Sequence, residues 1–165
     1  MGHGALGIVM KETFQPNLMA ERLESFKAGI VSAVSFSLVF ILASIFNKFI
    51  LKEYFIEQYS DSIITLDLQW LISAGIAGFS GFLFGVTYRY IIREDKNPHL
   101  KEGGIFAFGL VRGLAQVDIG LNFSASIFPL IVLASESIVG FAIAAFSLDS
   151  AIKFGWVKAF KGSRE

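Results

Sequence analysis

The chain has 165 residues, of which 54% are hydrophobic and 15% aromatic, with a mean hydropathy of +0.62. That apolar excess lies outside the usual soluble range and makes a membrane the first expectation. Fourteen Lys and Arg cancel fourteen Asp and Glu, so no overall field favours nucleic acid, and without cysteine there is no disulfide, thiolate metal site or cysteine nucleophile.

Met1 to Val9 lacks the basic start and long apolar core of a secretory signal, and Leu6 stands where a myristoylation site needs Ser or Thr. The N-terminus is therefore expected to be retained and unlipidated, with residues 1–16 as an extension. Pro16-Asn17 then starts a capped amphipathic helix over 17–27, in which Leu18, Met19, Leu23 and Phe26 share a face and Glu21, Arg22, Glu24 and Lys27 lie off it. It leads without a break into a first span at about 28–50, closed by Lys48 and Lys52. Residues 52–69 read as an acidic external loop with partial interfacial helix. A second span over about 70–92 opens at Trp70 and closes on Tyr88, Arg89, Tyr90 and Arg93, an aromatic and basic belt.

Asn97-Pro98 can cap and begin a new helix after the polar Arg93–Lys96 segment. The third apolar run, about 104–121, is short for a crossing and carries Arg112, Gln116 and Asp118. A tilted crossing helix is preferred over a re-entrant or surface one. A fourth span occupies about 125–148, with Pro129 near its entrance. The tail, 149–165, spaces Ile152, Trp156 and Phe160 four apart beside Lys153, Lys158 and Lys161, as an interfacial anchor would. The expectation is an all-α, integral membrane four-helix protein of two helical hairpins with flanking amphipathic helices.

Charge sets the orientation. With four crossings, Lys11, Arg22, Lys27, Arg89, Arg93, Lys96, Lys101, Lys153, Lys158, Lys161 and Arg164 share one side, against Lys48 and Lys52 on the other. The positive-inside rule then puts both termini in the cytoplasm, or in the stroma of a thylakoid.

Two charges sit inside apolar runs. Arg112 lies about nine residues beyond Gly103, and Glu136 about twelve before Leu148, depths of roughly 13 and 18 Å into a core of about 30 Å. An isolated charge there is costly, so the two are expected to pair across adjoining helices. Alternatives are a site for a lipid headgroup or small ligand, and a polar path that adds Gln116, Asp118 and Asn122. Gly81 and Gly85, Gly109 and Gly113, and Gly140 are small residues that let helices approach closely, within the bundle or against another membrane protein. They could also seat a lipid or pigment ring. Ser73, Ile76, Gly78 and Phe79 recur at equal spacing as Ser135, Ile138, Gly140 and Phe141, a weak internal repeat.

His3 and His99, the two histidines, both fall in polar segments, so neither a helical zinc pair nor a Ser-His-Asp arrangement is expected. No metal site and no enzyme follow. The role expected is a small structural, scaffold or assembly subunit, in contact with lipid and with other membrane proteins or further copies of itself. The competing class is a small transporter or channel lined by Arg112, Glu136 and Asp118.

Glu136–Phe141 is similar to the chlorophyll-binding helix of light-harvesting-like proteins, but Val139 stands where that family has its Asn or His ligand. The four-span layout is similar to the Tim17-like transporter family, whose Arg and Asp lie four apart, whereas Arg112 and Asp118 are six apart. Tyr88-Arg89-Tyr90, Arg93-Glu94-Asp95, Asn97-Pro98 and Phe108–Leu114 together resemble segments of small multi-span membrane proteins of cyanobacteria and plastids. That resemblance implies a thylakoid or bacterial inner (plasma) membrane address and carries no site residue with it.

Overall fold

A computed structural model describes residues 3–50, 68–92, 98–121 and 127–159, with side chains from Leu18 onward. The described residues form four helices, α1 (His3–Ile50), α2 (Leu68–Ile91), α3 (Pro98–Leu121) and α4 (Phe128–Lys153). Three segments of them, Leu18–Asn47, Trp70–Ile91 and Leu130–Lys153, are long and apolar enough to cross a membrane. α3, which carries Lys101, Glu102, Arg112 and Asp118, is not one of these three segments of the described residues.

Several boundaries differ from expectation. α1 is one helix of 48 residues that runs through Pro16 and Asn17, so the helix does not start there. Proline removes one ladder bond, and the helix formers on either side carry the helix across it. α3 starts at Pro98, which makes it 24 residues and about 36 Å long, six residues earlier than its apolar run. The acidic segment 52–67 and the polar segment 93–97 lie outside the described residues, as does most of the turn before α4.

Neighbouring helices run in opposite directions. α1 packs most extensively on α2, α3 on α4, and α4 also lies along α1, while α2 touches α3 and α4 more lightly. Glu21 meets Arg89 near one end of the first pair and Ser37 faces Gly78 farther along. In the second pair Lys101 meets Asp149, and Gln116 meets Ser137. α3 therefore accompanies α4 along most of its length.

One phenylalanine from each helix meets at the centre. The Phe141 ring lies 4.3 Å from Phe36, 5.0 Å from Phe84 and 5.7 Å from Phe108, centroid to centroid. Tilted and edge-to-face contacts of this kind add to the burial itself. The glycines make the approach possible. A Cβ on Gly81 would sit 2.8 Å from the Phe36 Cβ, one on Gly109 2.8 Å from the Ile138 Cα, and one on Gly113 3.0 Å from the Ala134 Cα. Gly85 faces the Ala28 carbonyl and Gly140 the Phe36 ring. All five glycines face other helices of this chain. Of the two uses the sequence allowed, this is packing within the bundle.

The internal repeat does not yield equivalent environments. Gly78 and Gly140 both face α1, at Ser37 and Phe36, but Phe79 is 64% exposed and Phe141 fully buried.

The tail departs from the helical stripe read from its spacing. α4 ends at Lys153, and Gly155 adopts a left-handed φ of 76°. Its N–H reaches the Ile152 carbonyl at 3.0 Å, and that of Trp156 reaches Ala151 at 2.9 Å, the paired bonds of a Schellman turn. The turn sends Val157 back into the core, 1% exposed, and leaves Phe154 and Trp156 on the outside. Phe160 lies outside the described residues. Because a β-carbon strains this conformation, Gly155→Ala should cost about 1–2 kcal/mol. Gly155→Asn should cost less, a ranking that thermal unfolding in detergent would check.

Candidate functional site

Two polar constructions stand out inside these apolar helices, one at each end. The first gathers where α1 begins its packed length, α2 and α4 end, and α3 begins. Arg89, read from the sequence as part of an aromatic and basic interfacial belt, is 0% exposed. Its Nε donates to the Lys158 carbonyl at 2.8 Å, and its Nη1 to the Ser25 hydroxyl at 2.7 Å and the Glu21 carbonyl at 3.1 Å. Its Nη2 forms an ion pair with the Glu21 carboxylate. The planar fork lets one side chain reach four acceptors, which an ammonium on a single stem does not match.

Beside it, the Lys158 N–H donates to Glu24 at 2.9 Å, and Ser25 donates to the Tyr90 hydroxyl at 3.2 Å. Lys101 pairs with Asp149 at 3.0 Å, and the Tyr88 hydroxyl lies beside the same carboxylate. This end is a polar clasp that joins all four helices and the returning tail. The sequence held a signal for it in Glu21 and Ser25, one helical turn apart, which present two acceptors on one face.

Nearer the opposite end lies a cavity of about 70 Å³ between α1, α3 and α4. Its walls are apolar at Phe36, Val39, Phe40, Ala43, Leu133 and Gly140 and polar at Ser44, Asn47, Arg112, Gln116, Glu136 and Ser137. Arg112, Gln116 and Glu136 thus come together here, whereas Asp118 is exposed and is not part of the lining. Asn122 lies outside the described residues.

Arg112 and Glu136 border this space without the expected salt bridge. Arg112 Nη1 donates to the Ser80 hydroxyl at 3.3 Å, and its guanidinium lies 5.4 Å from the centre of the Phe36 ring. Glu136 accepts from the Asn47 amide at 2.8 Å. Phe36 and Asn47 are about three turns apart on α1. The reason is directional: side chains lean toward the N-terminus of their own helix, and α3 and α4 run oppositely. Equal depth of the two backbones therefore sends the long side chains toward opposite ends.

Gln116 accepts from the Ser137 hydroxyl at 2.7 Å, which ties α3 to α4 between the charges. The Asn47 Oδ1 is buried and has no hydrogen-bond partner. Below the cavity the four phenylalanines close the bundle, so the polar space ends on an aromatic layer.

Sharing no partner, Arg112 and Glu136 should behave independently. The losses for Arg112→Ala and Glu136→Ala are expected to add within about 0.5 kcal/mol in a double-mutant cycle of unfolding in detergent. A large coupling energy would show that the charges meet.

Among the described residues no group of three or more His, Cys, Asp or Glu could hold a metal ion. Compared with protein-family models, with curated proteins and with solved structures, the chain matches none.

Proposed function

We propose that this is an integral membrane protein whose four helices all cross the bilayer, with the polar clasp and both termini on the cytoplasmic or stromal side. It serves as a small non-catalytic structural or assembly subunit. The observation that carries the reading is the outer surface. Ile30, Val34, Leu38, Leu42 and Phe46 on α1, Ile72, Ile76 and Phe79 on α2, Leu110, Val111 and Leu114 on α3, and Ile131, Val139 and Phe146 on α4 are all exposed. So continuous an apolar surface, with the charge network gathered at one end, suits hydrocarbon and not water. Phe154 and Trp156 fit the headgroup region beside the clasp.

The distribution of basic residues supports this direction, and the resemblance to membrane proteins of cyanobacteria and plastids favours a bacterial inner or thylakoid membrane. The glycines are occupied within the bundle, so a partner protein or second copy would meet the outward apolar faces instead.

Because the chain has no cysteine, single introduced cysteines report topology without background. Glu102→Cys and Lys153→Cys should react with an impermeant maleimide only from the cytoplasmic or stromal face, and Leu68→Cys and Ile127→Cys only from the other. Reaction of both pairs from one face would sink the four-crossing arrangement. In mild detergent the chain should migrate within a particle larger than its own 18.1 kDa and bound detergent allow; a monomer would sink the subunit role.

The unpaired Arg112 and Glu136 favour a second reading, a transporter or channel. It asks the aromatic layer under the cavity to part. Proteoliposomes would then show a solute flux that Arg112→Gln and Glu136→Gln each abolish with the bundle still folded.

A further inference from the structure

The cavity between α1, α3 and α4 holds an unusual combination. A guanidinium with one hydroxyl partner borders it near the aromatic floor, and a carboxylate with one amide partner borders it farther out. Between them lie apolar walls at Phe40 and Leu133 and the Gln116–Ser137 hydrogen bond, and the Asn47 Oδ1 beside the carboxylate is a buried acceptor without a hydrogen-bond partner. A charge set among apolar helices calls for an opposite charge or several hydrogen bonds, and neither group obtains these from the protein.

We propose that the cavity binds a compact zwitterion, with its anionic group on Arg112 and its ammonium on Glu136 and the Asn47 Oδ1. The guanidinium fork suits a carboxylate or phosphate bidentately, and an ammonium supplies the donors that the outer acceptors lack. Both charges border one space, but their α1 partners, Phe36 and Asn47, lie about three turns apart, so the ligand carries its own charges several bonds apart, joined by an apolar link that lies along Phe40 and Leu133. A purely anionic ligand would leave Glu136 unmatched, and a cation would leave Arg112 so. The chemistry is shared by free amino acids of short chain and by the headgroup of an ethanolamine phospholipid. The inference adds a ligand to the proposed subunit and needs no partner protein.

Thermal unfolding of the full chain in a choline-lipid nanodisc tests it. The soluble arm adds γ-aminobutyrate or 5-aminovalerate, with glycine as a zwitterion too short to reach both charges and butyrate and butylamine as single-charge controls. The lipid arm replaces part of the choline lipid by its ethanolamine counterpart. Stabilisation in the first arm identifies a free zwitterion and in the second a headgroup; in either case Arg112→Gln and Glu136→Gln should each weaken the apparent affinity about tenfold or more. Ala43→Leu, which narrows the cavity and leaves both charges, should weaken binding as well and guards against loss of fold in a charge variant. No stabilisation in either arm, equal stabilisation by butyrate alone, or an unchanged response in Glu136→Gln would overturn the proposal. Cysteine topology is read separately, so a failed binding test leaves the membrane reading standing, and a failed topology does not mimic it.

Discussion

Arg89→Ala should cost about 3–5 kcal/mol and leave little folded protein, the largest single loss expected in this chain. The guanidinium is fully buried and satisfies acceptors from α1 and from the returning tail. Removing it opens a cavity and leaves the Lys158 and Glu21 carbonyls and the Ser25 hydroxyl without their donor, while the Glu21 carboxylate, 37% exposed, can turn to water. Arg89→Lys keeps the charge, yet its ammonium on a single stem cannot reproduce the fork, so it should recover only part of the loss. Yield of monodisperse protein in detergent, together with the unfolding midpoint, measures both variants. Arg22→Ala, on the exposed side of the same α1 turn, supplies the contrast and should stay within about 0.5 kcal/mol of wild type. A small effect at Arg89 would show that the clasp does not hold this end together.

Gly85→Leu is the second large effect, for a different reason. A β-carbon there runs into the Ala28 carbonyl and the Ser32 side chain, and the backbone of α1 cannot rotate away as a side chain can. Over-packing of this kind costs about 3 kcal/mol or more, as α1 and α2 must separate along the contact they share. Gly81→Leu should act similarly against the Phe36 Cβ and the Ala33 Cα. Gly75, on the same helix, has nothing within 4 Å of an added Cβ. There Gly75→Ala should be neutral or up to about 1 kcal/mol stabilising, through helix propensity alone. Circular dichroism melts of the three variants would give the order Gly75→Ala above wild type or level with it, and Gly81→Leu and Gly85→Leu far below. If Gly75→Ala and Gly85→Leu behaved alike, the close approach of α1 and α2 would be refuted.

Helix content and the positions of three apolar helices were legible in the sequence, since period and length alone carry them. The third helix was legible only in part. Its apolar residues begin at Gly104, but Asn97-Pro98 already held the start signal, and the polar first turn is what hid its length. Arg112 and Glu136 were rightly found as charges within apolar runs and brought to one cavity, yet depth counted along the backbone could not reveal that antiparallel helices tilt their side chains apart. Arg89 was misread because a basic residue at the end of an apolar run ordinarily reaches for water. What buries it is the tail, which turns back at Gly155 and lays Lys158 over it. A stripe spaced by four residues could not reveal that, because the decisive residue was the glycine within it.

The link between Arg89 and Lys158 also orders events during synthesis. The segment that carries the guanidinium leaves the ribosome long before the carbonyl that completes its shell, with all of α3 and α4 still to be made. Until then the first two helices hold an arginine only partly answered by Glu21 and Ser25. A chain that stalls or is clipped ahead of its last residues keeps its apolar mass but stays unlatched. The state of this one latch thus separates chains made through Lys158 from shorter ones.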